Sequence, residues 1–113
     1  MKIIFPWYPK ELNPNSSKHY LTKAGYKKKY KTECYYQTKS VMSKYPVKTD
    51  YKLMHITFHK PNNRHMDLDN MLASIKSGID GMSDALGIND KCFKRITIEV
   101  AENIGGYIEV ELI

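Results

Sequence analysis

The strongest constraint on the fold is a change of hydrophobic period along the chain. Apolar and polar residues alternate over residues 51–59, 95–100 and 107–112, which predicts strands that are packed on one face. Apolar residues recur at spacings of three and four over 68–86, which predicts an amphipathic helix. The residues of this helical stripe are Leu68, Leu72, Ile75, Ile79, Met82 and Leu86.

Prolines and glycines indicate where the elements end. Pro46 is expected to close a helix at 26–44, and Gly87 to end the helix at 68–86. Gly78 and Gly81 predict close packing or a bend near residue 80, because glycine weakens a helix interior. We expect strands at 2–7 and 51–59, a loop at 10–17, and a β-hairpin formed by 95–100 and 107–112 across the turn at 103–106.

The resulting order βαβαββ predicts an α+β fold with two layers, in which helices pack on a mixed sheet of about four strands. A chain of 113 residues leaves room for a single domain, 1–113. Its apolar runs are too short for a membrane span, and its N-terminus lacks the features of a signal peptide. We therefore expect a cytoplasmic protein, with Cys34 and Cys92 as buried free thiols.

Charge is unevenly distributed. Residues 1–60 hold thirteen lysines and three acids, whereas residues 61–113 hold five basic residues and nine acids. A basic surface attracts polyanions, and clustered acids can bind a divalent cation. This balance favours an enzyme that acts on phosphates.

Lysines alternate with tyrosines in the segment 18–31. Tyrosine rings can stack on unpaired bases while ammonium groups contact phosphates. The same pattern also fits a solvated loop that leads into a helix with partly buried tyrosines. Composition alone favours nucleic-acid binding over this structural interpretation only slightly. The basic candidates are Lys18, His19, Lys23, Lys27, Lys28, Lys29, Lys31 and, further along, Arg64.

The candidate chemistry lies at the start of the helix at 68–86. Asp67 and Asp69 are two residues apart where a loop enters a helix, so both carboxylates can bind one hard cation. An EF-hand is excluded, since Met71 and Leu72 occupy positions that need Asp or Asn and then Gly. Asp90 follows the helix in a loop and can supply a third carboxylate.

Lys76 and Asp80 extend this face along the helix. Lys76 is a candidate phosphate contact, but the two residues also fit an ordinary surface ion pair. Asp67 and Asp69 likewise fit an N-cap and a first-turn acid, and Asp90 a turn residue.

Three further histidines give little indication of a metal site. His55 and His59 share a strand face and are expected to be surface or packed residues, because no matching third ligand lies nearby in the sequence. His65, next to Asp67, is a candidate contact to phosphate or substrate.

The run from Arg64 to Met82, with its Asp-Leu-Asp-Asn core at 67–70 and Gly87-Ile88-Asn89-Asp90 beyond it, resembles the RusA family of Holliday junction resolvases, small endodeoxyribonucleases of bacteria and their phages. The opening residues 4–7, the basic loop with Lys18 and His19, and the closing strand at 105–110 extend the resemblance over nearly the whole chain.

The resemblance implies a homodimer that cuts four-way DNA junctions by paired phosphodiester hydrolysis in DNA recombination and repair, and a bacterial or phage origin. It implies Mg²⁺, for which Mn²⁺ can substitute, on Asp67, Asp69 and Asp90. It also implies a catalytic lysine, assigned here to Lys76, with Asp80 and Asn70 supporting the site.

Two departures from the family accompany this assignment. Some members carry the lysine four residues after the second Asp, where this chain has Ala73, and many have two successive acids where this chain has Asn89 and Asp90. The alternative is a dimeric DNA-binding module without catalytic activity.

Overall fold

The strands and helices follow the predicted order, except that two helices stand where the sequence predicts one. The computed structural model describes the backbone of residues 1–113 and every side chain except that of Asp90. The strands are β1 (Lys2–Pro6), β2 (Leu53–His59), β3 (Arg95–Val100) and β4 (Tyr107–Leu112), and the helices are α1 (Tyr20–Met42), α2 (Leu68–Ser74) and α3 (Lys76–Leu86). Short 3₁₀ turns cover Lys10–Leu12 and Asp90–Cys92.

The four strands form one mixed sheet in the order β1-β4-β2-β3. β4 runs antiparallel to both β1 and β2, and β3 runs parallel to β2. β1, β2 and β3 therefore all point the same way. The predicted α+β class, two layers and four-stranded mixed sheet are confirmed.

The predicted hairpin of β3 and β4 is wrong, because β2 lies between these two strands. The connecting loop crosses the end of β2, where the amides of Gly105 and Gly106 donate to the carbonyls of Lys60 and His59. The inward residues of β4 are almost completely buried, whereas Ile96 of β3 is 48% exposed. The more completely buried strand occupies the centre of the sheet, and β3 forms an edge.

The first helix begins earlier than predicted, at Tyr20 rather than residue 26. His19 caps it, since its Nδ1 accepts a hydrogen bond from the Leu21 amide at 3.2 Å. Such a cap satisfies one of the free amides of the first turn. The helix ends at Met42, four residues before Pro46.

The predicted helix at 68–86 is two helices that meet at Ile75, not one helix with a bend near residue 80. Ile75 has φ −102° and ψ 8°, outside the helical range. Of the two outcomes expected from Gly78 and Gly81, close packing is the one observed: these glycines lie against α1, and a Cβ at Gly81 would lie 2.2 Å from the Lys31 carbonyl oxygen. Gly87 ends α3 at φ 70°, as predicted.

The core lies between the inward face of the sheet and the helices. Phe5, Ile56, Phe58 and Val110 from the sheet are completely buried. The helical stripe is shifted slightly from the predicted one, because Met71 is buried while Leu68 is 47% exposed. In the helices described here, no segment has the length and apolar character needed to cross a membrane.

Candidate metal and phosphate site

Parallel strands place their carboxyl ends at one edge of the sheet. His59 ends β2 and Val100 ends β3 at this edge, because Phe58 is paired with Val100. The chain leaves β2 here and enters α2 eight residues later, at Asp67. The cavity that Asp69 of α2 lines lies at the opposite end of these strands, because Met54 and Ile96, the second residues of β2 and β3, also line it.

Asp67 occupies the N-cap position of α2, but its carboxylate does not cap the helix. Its side chain accepts no hydrogen bond from the amides of the helix, and its backbone carbonyl accepts one from the Met71 amide at 3.0 Å. Its Oδ1 lies 3.3 Å from Nε2 of His65, and the Asp67 side chain is 62% exposed. The carboxylate is therefore exposed and available to a ligand.

Asp69 lies in the first turn of α2 and lines a cavity. Its Oδ1 accepts a hydrogen bond from the Asn70 amide at 3.0 Å, which leaves its other oxygen open. Asn70 is further tied to α2 because its carbonyl accepts the Ser74 hydroxyl at 2.7 Å. Asn70 thus supports Asp69 through its backbone.

Lys76 and Asp80 lie on the wall of the same cavity, together with Ala73. Nζ of Lys76 lies 2.7 Å from Oδ1 of Asp80, and the two side chains are 60% and 43% exposed. The helix break at Ile75 separates Ala73 from Lys76, yet both positions face one space. The structure therefore brings Asp69, Lys76 and Asp80 together.

Asp90 begins the 3₁₀ turn before β3, and its side chain lies outside the described part of the protein. Its neighbours border the site on two sides. Phe93 lines the cavity that contains Asp69, and Asn89 lines an adjacent one that also contains Asp80. Among the side chains that are described, no group of three His, Cys, Asp or Glu residues could hold a metal ion.

The basic residues are distributed around α1. Only three side chains of this 23-residue helix are buried, namely Tyr30, Cys34 and Thr38. Lys27 lines the cavity with Asp69, whereas Lys29 lies in a separate pocket beside Trp7. The Lys27-Lys28-Lys29 run is therefore not one continuous surface.

The other basic candidates are found in three settings. Lys31 pairs with Asp84 at 3.1 Å, and His19 serves as the cap of α1. Lys23 is partly buried. Exposed positions are occupied by Lys18, Lys28 and Arg64.

Two histidines behave as surface or packed residues. His59 is buried and stacked on Tyr107 with 4.2 Å between ring centroids. His55 lies on the open face of the sheet, where its Nε2 is 2.9 Å from Oε1 of Glu99. Hydrogen bonds from His55 and Thr57 hold the pKa of Glu99 below its usual range.

Five residues that line the cavity were not predicted as site residues, because nothing in their local sequence pattern distinguishes them from core residues. They are Leu12, Met54, Ser77, Phe93 and Ile96. Tyr8, which is buried, was not predicted as a candidate either. Its hydroxyl lies 3.8 Å from Sδ of Met66, and burial raises its pKa while a hydrogen bond with Ser74 opposes the shift.

Comparison with known proteins adds one relative. No protein-family model matches the chain. The chain is 33% identical over 98 residues to an uncharacterized protein of Xylella fastidiosa (strain Temecula1), and the match covers 80% of this chain. The chain spans 61% of the length of that bacterial protein.

Proposed function

We propose that this protein is a Mg²⁺-dependent endodeoxyribonuclease that resolves four-way DNA junctions by paired phosphodiester hydrolysis, in DNA recombination and repair. The observation that carries the proposal is the cavity that Asp69, Lys76 and Asp80 share, together with Asp67, two residues before Asp69, whose carboxylate does not cap α2. These residues combine carboxylate oxygens, which bind hard cations, with a lysine that can contact phosphate. A lysine-rich helix lies next to them, and hydrolysis of a phosphodiester requires both kinds of group.

Two described carboxylates, those of Asp67 and Asp69, are available to a hard divalent cation, and Asp90 is the third ligand that we propose. The carboxylate of Asp67 does not cap α2. One carboxylate oxygen of Asp69 accepts the Asn70 amide, which leaves the other oxygen for a ligand. Asp90 belongs to a segment whose neighbours border the same region. These three carboxylates would hold Mg²⁺ or Mn²⁺, which supplies an activated water and neutralises charge at the scissile phosphate.

Lys76 would bind a non-bridging oxygen of the scissile phosphate or stabilise charge on the leaving oxygen. Its hydrogen bond with Asp80 supports this role, because the carboxylate restricts the flexible side chain to the cavity wall. Asp80 is then a positioning residue. Asn70 orients Asp69 because its backbone amide donates a hydrogen bond to the Asp69 carboxylate.

The DNA arms would be held by basic residues of α1 and its flanks. This part of the proposal is supported by the exposed, lysine-rich surface of a helix that buries only three side chains. Phosphate contacts by lysine give affinity without reading sequence. His65, close to Asp67, is a further candidate contact to phosphate.

We further propose that the protein acts as a homodimer in the cytoplasm of a bacterium or of a phage-infected cell. Two protomers related by a two-fold axis match the symmetry of a four-way junction and would cut two strands in related positions. The bacterial relative is consistent with this origin.

The competing proposal is a dimeric DNA-binding module without catalytic activity, which the basic helix α1 would serve equally well. Incubation with an end-labelled synthetic four-way junction separates the two. The nuclease cuts the junction in MgCl₂ and not in EDTA, and cuts a linear duplex of the same sequence far more slowly. A binding module retards the junction but leaves it intact with Mg²⁺ and with Mn²⁺.

A further inference from the structure

The cavity that contains Asp69 and Lys76 has a large apolar part that phosphate chemistry does not use. Its volume is about 680 Å³, within the range of small-molecule sites. The apolar side is formed by Leu72 and Ile79 from the helices and by Phe93 and Ile96 at the start of β3. Ile96 is 48% exposed, so β3 presents an uncovered apolar surface here.

Polar groups lie around and within this apolar surface. Lys27 and Lys76 give the cavity two cations, and Asp69 and Asp80 give it two carboxylates. Ser77 also lines it, and its buried hydroxyl oxygen has no hydrogen-bond partner among the described side chains and backbone. A buried hydroxyl without a partner is costly, which favours a ligand that has both a flat apolar surface and a polar edge.

We infer that this cavity takes one unstacked nucleobase from a nucleotide next to the phosphate that is cut. The inference rests on the proposed function and adds to it a base subsite. A phosphate held near Lys76 carries its neighbouring base within reach of Phe93 and Ile96, and every base can stack on an aromatic or aliphatic surface. The Ser77 hydroxyl meets the polar edge of that base.

The subsite also explains a preference for branched DNA. A base inside a continuous duplex is paired and stacked, and it must be extracted at a cost before it can enter a cavity. Nucleotides at the branch point of a four-way junction are less constrained, so they enter at a lower cost. The cavity therefore selects junctions over linear duplex through the accessible base as well as through shape.

Single abasic nucleotides test the subsite. Each nucleotide within three positions of the mapped cut is replaced in turn by an abasic analogue, and the single-turnover cleavage rate in Mg²⁺ is measured. We expect one position, adjacent to the cut, at which the abasic analogue lowers the rate by about ten-fold or more. Placing 2-aminopurine at that position should give a rise in fluorescence when the protein binds in EDTA, because an unstacked 2-aminopurine is bright.

Two isoleucine variants of similar exposure connect the effect to the cavity. Ile96→Ala changes the cavity, and Ile104→Ala changes a loop residue that is 50% exposed and does not line it. The abasic penalty should shrink to within about two-fold in Ile96→Ala and persist in Ile104→Ala. Ser77→Ala should lower the rate on intact junctions but not on the abasic junction.

Four results would overturn the inference. Cleavage rates within two-fold of normal at every abasic position would show that no base is held. A penalty of equal size in Ile96→Ala and Ile104→Ala would place the base elsewhere. Junction cleavage with no rise in 2-aminopurine fluorescence would reject the base subsite while leaving the nuclease intact, whereas a protein that neither binds nor cuts DNA would reject both proposals.

Discussion

Asp80 accepts a hydrogen bond from Nζ of Lys76 at 2.7 Å on the wall of the cavity that Asp69 lines. A pair of exposed residues four apart on a helix contributes less than about 1 kcal/mol to stability. The location of the pair beside a carboxylate therefore matters more than its energy. In the proposed nuclease, the pair would hold a restrained cation near the phosphate that a metal ion on Asp69 would bind.

The first prediction concerns the three carboxylates. Asp67→Asn, Asp69→Asn and Asp90→Asn should each abolish junction cleavage, because loss of a ligand charge weakens metal binding. Asp67 and Asp69 are exposed, so unfolding free energies of their variants should remain within about 0.5 kcal/mol of the original protein. Cleavage assays and urea titrations check both expectations.

The matched control is Asp50→Asn, which removes an exposed carboxylate in the loop before β2. It should cut junctions at the normal rate. Normal cleavage by any one of the three site variants would remove that residue from the proposed metal site.

The second prediction concerns Lys76. Lys76→Ala should lower the single-turnover rate by about 10² or more, the scale of losing one electrostatic contact to the transition state, with junction affinity much less affected. Asp80→Asn should give a smaller loss, since it only releases the lysine. A Lys76→Ala protein that cuts at the normal rate would leave the lysine as a surface partner of Asp80.

Ala73 offers a rescue experiment. It is exposed and lines the same cavity as Lys76, so a lysine placed there can reach the same space despite the helix break at Ile75. The double variant Ala73→Lys with Lys76→Ala should regain part of the lost rate. No recovery would mean that the position of the cation, and not only its charge, is required.

The third prediction separates the lysines of α1. Lys27 faces the cavity, so Lys27→Ala should reduce the slope of log affinity against log salt by about 0.9, the value for one lost phosphate contact. Lys52→Ala, at an exposed residue before β2, serves as the control and should leave the slope unchanged. An unchanged slope in Lys27→Ala would assign this lysine to the solvated surface. Electrophoretic titrations at several salt concentrations give the slopes.

The fourth prediction tests the packing of α1 on α3. Gly81→Ala should destabilise the protein by about 1–3 kcal/mol or more, because the new Cβ would lie 2.2 Å from a backbone oxygen of Lys31. Gly25→Ala should instead stabilise it by up to about 1 kcal/mol, since its Cβ would meet nothing within 4 Å and alanine favours a helix. Thermal unfolding of both variants gives the two signs, and equal effects would contradict the close contact.

The fifth prediction concerns Cys34 and alkaline pH. Burial raises the pKa of the Cys34 thiol to about 12 from an ordinary value of 9.0. The folded state keeps this thiol protonated, so stability should fall as the pH rises above about 9, where the unfolded chain loses the proton. Cys34→Ala should remove this part of the pH dependence, as measured by urea unfolding between pH 8 and 10.

Reaction with a thiol reagent gives an independent readout. Cys92 is only partly buried, whereas Cys34 is completely buried. One thiol should react rapidly in the folded protein and two in denaturant. Rapid reaction of both thiols in the folded protein would contradict the buried location of Cys34.

Local periodicity predicted most of the elements but not their partners. The alternation at 95–100 and 107–112 matches β3 and β4 residue for residue. Their separation by β2 could not be predicted, because pairing depends on which strand is buried most completely, a property of the whole sheet. The break at Ile75 could not be predicted either, because its apolar side chain fits the helical stripe. Only its backbone angles depart from those of a helix.

The grouping of three charged residues in one cavity could be expected from the sequence, whereas the apolar residues of that cavity could not. Asp69, Lys76 and Asp80 share a cavity as their helical spacing suggests. Phe93 and Ile96 lie on that cavity but have the sequence pattern of ordinary core and strand residues. The exposure of Ile96 follows from β3 being an edge strand, which only the assembled sheet reveals.

The most direct test of the proposed activity is cleavage of a supercoiled plasmid that extrudes a cruciform, since paired cuts by one dimer convert it to a linear form and a single cut gives a nicked circle. We predict linear plasmid with symmetric cuts across the junction in Mg²⁺, none in EDTA and none with Asp69→Asn. A plasmid that the protein binds but leaves supercoiled in both Mg²⁺ and Mn²⁺ would contradict the proposal.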